Sequence, residues 1–171
     1  MIERYTLPRM GQVWSDDNKF STWLRIEILA CEALAELGEI PAEAVQVIKE
    51  KARFETPRIL EIEETTQHDV IAFLTNVAEN IGLESRFIHL GMTSSDLLDT
   101  SLSCLLKEAG ELILERCVEL KAALKEKAIT HKRTTMIGRT HGVHAEPITF
   151  GLKMLLWYDE MCRREQTMRR A

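Results

Sequence analysis

The sequence predicts an all-α fold built around long helices. Apolar residues recur three and four positions apart along almost the whole chain, and no segment alternates convincingly as a strand. One apolar stripe continues from about Ser94 to about Thr130, which as a helix would exceed about 50 Å, several times the average helix length. Helices of this length are typical of bundles, and a chain of 171 residues that is 45% hydrophobic can bury a core.

Four shorter helices are predicted before the long one, each from its own start and stop signals. In chain order, the signals are Ser15 and Asp16 before the first helix and Gly38 after it, Pro41 before the second, Thr56 as the N-cap and Pro57 as the first residue of the third, a break near Thr65 and Thr66, and Asp69 and Gly82 at the ends of the fourth. The first helix has the clearest period. The residues that step along it by threes and fours are Phe20, Trp23, Leu24, Glu27, Ile28, Cys31, Leu34 and Ala35.

The second half of the chain contains the long helix and one neighbour. The stripe on the long helix consists of Leu98, Leu102, Leu105, Ala109, Leu112, Leu120 and Leu124. The neighbouring helix is expected to start at Pro147 and to reach the last residue, Ala171. Its end, CRREQTMRRA, carries no helix-stopping signal, so the sequence predicts that this helix continues beyond the chain.

Charge and composition exclude several classes of protein. The formal net charge of −5 argues against nucleic-acid binding. No apolar run approaches the roughly 18 residues that a membrane span needs, and the opening MIERYTLPRM lacks the apolar core of a signal peptide. The four cysteines form no CxxC pair, so they predict neither a zinc site nor a disulfide framework. We expect a cytoplasmic protein without a membrane or nucleic-acid partner.

Three polar stretches are predicted at the starts of helices, where a binding site could form. They are TQHD at 66–69, GMTSSD at 91–96 and GRTHGVHAEP at 138–147. A helix start presents N–H groups and partial positive charge, which suit phosphates and carboxylates. Two of these stretches also have a purely structural explanation. Thr93 with Asp96 is close to a capping box, and a histidine such as His68 often only begins a helix.

The residue types in these stretches favour acid–base chemistry. His141 and His144 have a spacing that could hold a metal, with Glu146 to assist, but no HExxH or ExxH motif accompanies them, so no metal is expected. Nucleophilic catalysis is disfavoured, because the chain has no GxSxG elbow and no cysteine with a histidine nearby in sequence. Histidines that titrate near neutral pH, beside groups that hold negative charge, fit proton transfer on an anionic substrate.

Four motifs, in order along the chain, closely resemble those of the bacterial adenylosuccinate lyases, a branch of the fumarase/aspartase superfamily. They are MIERY, TQHDVIAF, HLGMTSSDLLDTSL and GRTHGVHAEPITFGLKMLLWYDEM. The resemblance implies an all-α fold with a small helical first domain, here residues 1–90, and a central domain of long helices that begins in residues 91–171. It also implies a homotetramer built on those long helices. No cofactor is expected.

The resemblance further implies a reaction. Members of the family cleave a C–N bond by β-elimination and release fumarate, from adenylosuccinate to leave AMP and from the succinylated aminoimidazole carboxamide ribotide of purine synthesis. A base takes a proton from the carbon next to a carboxylate, and an acid protonates the leaving nitrogen. By motif position, the catalytic residues would be His141 as the general acid and His68. The substrate-binding residues would be Arg4 and Tyr5 for the nucleotide, Gln67, His68, Asp69, His89 and Thr140 around the site, and Thr93 and Ser94 for the fumarate carboxylate.

One part of the family's machinery does not occur in this sequence. In the family the base is a serine on a loop of the type Ser-Ser-x-x-Met-Pro-x-Lys-x-Asn, which is found nowhere in the 171 residues, so the chain alone is expected to be inactive. A second hypothesis stays open, namely a helical assembly or scaffold module whose polar loops only cap helices. That hypothesis explains the long apolar faces but not the histidines.

Overall fold

The computed structural model describes residues 2–171, with the backbone alone at residue 3, and the chain is predominantly helical as predicted. The elements, in chain order, are α1 (Pro8–Val13), α2 (Asp16–Glu36), α3 (Ala42–Lys51), α4 (Thr56–Thr66), α5 (Asp69–Ile81), α6 (Ser94–Thr130), β1 (Thr135–Thr140), β2 (Val143–Thr149) and α7 (Phe150–Arg170). Short 3₁₀ helices at Glu3–Tyr5 and Leu83–Phe87 precede α1 and follow α5. Every helix that the sequence predicts is present, and α1 and the two strands are additional.

Most helix ends agree with the local signals, and one cap was predicted wrongly. Ser15 is the N-cap of α2, as expected. In α4, however, Glu55 is the N-cap, so Thr56 and Pro57 are the first two helical residues rather than the cap and the first residue. The hydroxyl of Thr56 donates a hydrogen bond to the carboxylate of Asp17, a contact with α2 that no local signal announces.

The chain divides into two compact units, Met1–Glu108 and Ala109–Ala171, and the boundary between them lies inside α6. We call them the first and the second unit. Because α6 belongs in part to each unit, the division into units does not show where a domain begins. The predicted domain boundary near residue 90 therefore remains a prediction.

The core of the first unit is an aromatic cluster between α2 and α5. Phe20 and Phe73 are stacked with their ring centres 5.8 Å apart, and Trp23 meets Phe73 edge-on at 5.4 Å. All three side chains are at most 2% exposed. Burying each ring contributes on the order of 2–3 kcal/mol, so this cluster fixes α2 against α5 and thereby positions the loops at their ends.

In the second unit, the end of α6 lies against the start of α7. The backbone N–H of Gly151 donates to the carbonyl of His131 at 3.0 Å, and a Cβ on Gly151 would lie 2.5 Å from the carbonyl oxygen of Ala128. Glycine is therefore required for this close approach. Further along, the carboxylate of Glu165 on α7 pairs with the ammonium of Lys121 on α6.

The prediction that no segment forms a strand was wrong, because residues 135–149 form an antiparallel hairpin. Thr140 pairs with Val143, so the turn consists of two residues, His141 and Gly142. Both have a positive φ, 51° and 75°, which is the backbone that a two-residue type I′ turn requires. The polar stretch GRTHGVHAEP is therefore part of a strand, a turn and a second strand.

The hairpin also moves the start of the last helix. The prediction of a start at Pro147 was wrong, since Pro147 pairs with Ile137 in the sheet and α7 begins at Phe150. The N-cap is Thr149, whose hydroxyl accepts from the N–H of Leu152 at 3.2 Å. The stretch GRTHGVHAEP thus does not lie at a helix start, and any anion site there would have to use side chains rather than helix amides.

The helices α6 and α7 leave many apolar side chains exposed. α6 has 37 residues and is about 55 Å long. The exposed large apolar residues of α6 and α7 are Leu102, Leu106, Ile113, Val118, Leu120, Ile129, Leu152, Leu155, Leu156 and Trp157. None of the helices in the described part of the chain combines the length and the apolar character that crossing a membrane requires. Apolar faces of this extent are typical of helices that pack on further helices.

Candidate functional site

The junction between α4 and α5 holds three of the predicted site residues. Gln67 ends α4 with a φ of 52°, and its side-chain amide donates to the carbonyl of Glu64 at 2.8 Å. His68 is the N-cap of α5, where its Nδ1 accepts from the N–H of Ile71 at 3.4 Å. Asp69 is the first residue of α5. Gln67 and His68 are exposed and Asp69 is half-buried, so all three can be reached by a ligand.

The capping bond of His68 determines which of its ring nitrogens carries the proton. A nitrogen that accepts a hydrogen bond carries none, so neutral His68 is protonated on Nε2. The nearest oxygen of Asp69 lies 3.6 Å from Nδ1, close enough to form an ion pair when the ring is fully protonated. Capping and ligand contact are therefore compatible in His68, because the cap occupies one nitrogen and leaves Nε2 as a donor.

His89, in the loop before α6, is bound to a carboxylate from α2. Its ring Nδ1 lies 2.6 Å from Oε1 of Glu27, and its backbone N–H donates to Oε2 of the same residue at 2.8 Å. The side chain of Glu27 is 0% exposed and that of His89 is 17% exposed. Sequence reasoning missed this partner, although a charged residue within the apolar series of α2 was the signal that could have identified it.

The start of α6 holds the hydroxyl groups predicted to bind a carboxylate. The N–H of Thr93 donates to the carboxylate of Asp96 at 2.8 Å, which is one half of a capping box. The hydroxyls of Thr93 and Ser94 form no hydrogen bond with any residue that the structure describes. Capping thus accounts for Asp96 but not for the two hydroxyls, which remain available as donors to an anion.

Arg4 and Tyr5 lie together in the first 3₁₀ helix. The guanidinium carbon of Arg4 is 4.8 Å from the centre of the Tyr5 ring, and Tyr5 is 74% exposed. A cation beside an exposed aromatic face suits a ligand that combines an anionic group with a flat base. Met1, the first residue of the MIERY motif, lies outside the described residues.

At the hairpin tip, His141 occupies the first turn position and directly follows Thr140. Both side chains are exposed. The imidazole of His141 forms no hydrogen bond with any part of the described chain, whereas His144 lies further down the hairpin, opposite Arg139. His141 therefore lies exposed at the tip of a two-residue turn, and both of its ring nitrogens are without a hydrogen-bond partner in the described chain.

The hairpin owes its shape to a glycine at an irregularity in the strand pairing. The register of β1 shifts between Ile137 and Arg139, at Gly138. A Cβ on Gly138 would lie 2.6 Å from the carbonyl oxygen of Glu146, so no other residue fits without moving a strand. This bulge sets the twist of the hairpin and therefore the direction in which the tip points.

Three of the predicted site residues share a rare backbone conformation. Within the described chain, the non-glycine residues with a positive φ are Gln67 at 52°, His89 at 62° and His141 at 51°. For a residue with a Cβ this conformation costs about 1–2 kcal/mol, and such strain concentrates at functional sites. All three residues belong to the motifs that predict the site.

In the first unit, as far as the structure describes it, the predicted site residues do not form one hydrogen-bond network. Within the described part of the first unit, no hydrogen bond or ion pair links the α4–α5 junction to the start of α6. Among the side chains that the structure describes, no three of His, Cys, Asp or Glu come together as a metal site would need. The described chain thus presents exposed histidines at residues 68 and 141 and two hydroxyl groups, on Thr93 and Ser94, without hydrogen-bond partners.

The chain is similar in sequence to known adenylosuccinate lyases. Over 171 residues the chain is 53% identical to adenylosuccinate lyase of Bacillus subtilis, covering 100% of this chain and 40% of that protein. It is 54% identical to adenylosuccinate lyase of Synechocystis sp. over 171 residues, again covering 100% and 40%. The chain thus spans about 40% of the length of these relatives.

Two solved structures show the same fold. The fumarate lyase of Mesorhizobium sp. BNC1 superposes with a TM-score of 0.88 at 27% identity, over 94% of this chain and 39% of that one. The 3-carboxy-cis,cis-muconate lactonizing enzyme of Pseudomonas putida does so with a TM-score of 0.88 at 29% identity, over 97% and 40%. The predicted fumarase/aspartase-like fold is thereby confirmed. A model of the Lyase family matches residues 3–171, and the chain belongs to that family.

Proposed function

We propose that the protein to which this chain belongs is an adenylosuccinate lyase. It would cleave adenylosuccinate to AMP and fumarate, and it would release fumarate from the succinylated aminoimidazole carboxamide ribotide in the same way. The observation that supports this proposal most is the position of His141, exposed at the tip of a two-residue turn with no partner in the described chain. The identity of 53% over 171 residues to an adenylosuccinate lyase supports the choice of substrate.

Each step of the elimination has a group assigned to it. His141 protonates the leaving nitrogen while the C–N bond breaks, and His68 offers its Nε2 as a second proton-carrying group. The hydroxyls of Thr93 and Ser94 donate to the carboxylate that becomes part of fumarate. The base that removes the proton from the neighbouring carbon is a serine outside these 171 residues.

The rest of the site binds the substrate. Arg4 and Tyr5 contact the nucleotide, and the other residues that line the site are Gln67, Asp69, His89 and Thr140. The full-length protein works in the cytoplasm as a homotetramer, whose subunits cover the apolar faces of α6 and α7. No cofactor takes part, because acid, base and anion-binding groups suffice for a β-elimination.

Replacement of His141 in the full-length protein tests the proposal. Asparagine is the appropriate substitute, because it tolerates a positive φ and keeps the turn, whereas alanine would add backbone strain. His141→Asn should lower kcat for fumarate release by about 10²- to 10⁴-fold while substrate binding changes little. His144→Asn, on the same hairpin, is the matched control and should lose much less. Near-normal turnover of His141→Asn would contradict the assignment.

The isolated chain should fold as a mostly helical protein, self-associate and release no fumarate. The exposed apolar faces of α6 and α7 support association, and they equally support the second candidate, a helical scaffold module without catalysis. Sedimentation, circular dichroism and a fumarate assay on the chain test the first three statements. Binding of AMP and fumarate to the full-length protein separates the two candidates, since a scaffold should bind neither.

A further inference from the structure

A fully buried carboxylate in the first unit forms hydrogen bonds with one predicted site residue. Glu27 lies on the core face of α2 and is 0% exposed. A carboxylate out of water is tolerated only where hydrogen bonds replace its solvation. Both of its oxygens find their partners on His89, one on the ring Nδ1 at 2.6 Å and the other on the backbone N–H at 2.8 Å.

The two bonds constrain different parts of His89. The bond to the backbone N–H compensates for the left-handed conformation of this residue, whose φ is 62°. The bond to Nδ1 fixes the rotation of the ring. Since an imidazole is a stronger base than a carboxylate, the proton between the two groups rests on Nδ1. Nε2 is then the ring nitrogen that no residue of the described chain engages.

We propose that Glu27 is a positioning residue for His89. It holds the ring in one orientation and in the Nδ1–H tautomer, so that Nε2 meets the substrate as a hydrogen-bond acceptor whenever the ring is neutral. The contact between His89 and substrate rests on the proposed function, whereas the tautomer follows from the geometry of the pair and from the greater basicity of an imidazole. The two statements can therefore be tested separately.

Glu27→Gln makes a sharp prediction, because the backbone N–H of His89 cannot change its role. That N–H must face the amide oxygen of the glutamine, so the amide NH₂ must face Nδ1. Nδ1 then has to accept, and the proton of the neutral ring moves to Nε2. The substitution preserves the size and shape of the side chain, and it reverses the tautomer of a residue 62 positions away.

Nitrogen-15 NMR of the histidine rings in the whole chain reads the tautomer directly. The chain has five histidines, and the signals of His89 are those that vanish in His89→Gln. In the unmodified chain we expect the proton on Nδ1, and in Glu27→Gln we expect it on Nε2. Glu165→Gln is the matched control, because Glu165 is also buried but pairs with Lys121 and Arg169, and it should leave the signals unchanged.

Kinetics of the full-length protein then test the positioning role. Glu27→Gln should lower kcat/KM for fumarate release by about ten- to a hundredfold, the range found where a carboxylate orients a histidine ligand, and Glu165→Gln should not. A proton on Nε2 in the unmodified chain, or no change in Glu27→Gln, would overturn the tautomer. A reversed tautomer with unchanged kcat/KM would overturn the positioning role. Absence of lyase activity in the unmodified protein would refute the proposed function and leave the NMR result to decide on Glu27.

Discussion

Gly151→Ala should unfold the junction between α6 and α7, and the size of the effect follows from three distances. The new Cβ would lie 2.5 Å from the carbonyl oxygen of Ala128, 2.6 Å from Cα of Lys132 and 2.7 Å from the carbonyl carbon of His131. Contacts between carbon and oxygen normally begin at about 3.3 Å, so the overlap with the oxygen alone is about 0.8 Å. All three atoms belong to the backbone, and no side chain can rotate to relieve the overlap.

The cost of this substitution should reach or exceed the upper end of the range for overpacking. Adding one methyl group to a packed site costs about 1–3 kcal/mol when side chains can yield, and here only a movement of α7 as a whole can make room. That movement would break the bond from the Gly151 N–H to His131, which is 3.0 Å long. We therefore expect the free energy of unfolding to fall by about 3 kcal/mol or more.

The matched control is Gly110→Ala on α6, in the same unit. A Cβ there would meet the methyl group of Met168 at 3.5 Å, an ordinary contact, and alanine favours a helix over glycine by about 1 kcal/mol. Urea unfolding followed by circular dichroism should thus show opposite signs for the two variants, and amide hydrogen exchange should rise along α7 in Gly151→Ala alone. A loss below about 1 kcal/mol in Gly151→Ala would refute the reasoning, because it would mean that the helices are not in backbone contact.

Three further outcomes are expected in this chain. Ser101 on α6 is 1% exposed, and its hydroxyl has no hydrogen-bond partner in the described chain. Ser101→Ala should therefore raise the free energy of unfolding, measured in urea, by about 1 kcal/mol. A decrease of about the same size would contradict this prediction. Burial raises the pKa of the Cys31 thiol to about 11. At pH 8, iodoacetamide should therefore modify the exposed Cys104 and leave Cys31 unmodified until the chain unfolds. Peptide mass spectrometry measures the labelling of each cysteine, and equal labelling of the two would contradict this prediction. Hydrogen bonding from Lys121 holds the pKa of the Glu165 carboxyl below its ordinary value of 4.5. Because the pKa of Glu165 is lower in the folded than in the unfolded chain, the pair stabilises the fold above the unfolded pKa, and this contribution is lost as the pH falls through the folded pKa. Glu165→Gln should therefore make Tm decline less steeply below about pH 5. Parallel plots of Tm against pH for the two proteins would refute the role of the pair.

The sequence by itself determined where most of the helices lie, and the motifs it contains predict the site residues. The cap at Ser15 and the stop at Gly82 are local signals, and the apolar stripe of α6 follows the period of a helix. The same holds for His68, which was expected at a helix start and is the N-cap of α5. Local periodicity and capping do not depend on distant partners, which is why these predictions agree with the structure.

Only the tertiary structure decided how two of the histidines predicted for the site, His89 and His141, are held. The hairpin was not predicted for two reasons. A bulge at Gly138 interrupts the alternation of apolar and polar residues along the strand, so the sequence shows no regular period of two. The turn is also His-Gly rather than the common Asn-Gly. The bond between Glu27 and His89 joins residues 62 positions apart. It forms because burial of the aromatic core brings α2 beneath the loop before α6. Which surfaces meet in this way depends on the packing of the whole unit, and no spacing along the chain encodes it.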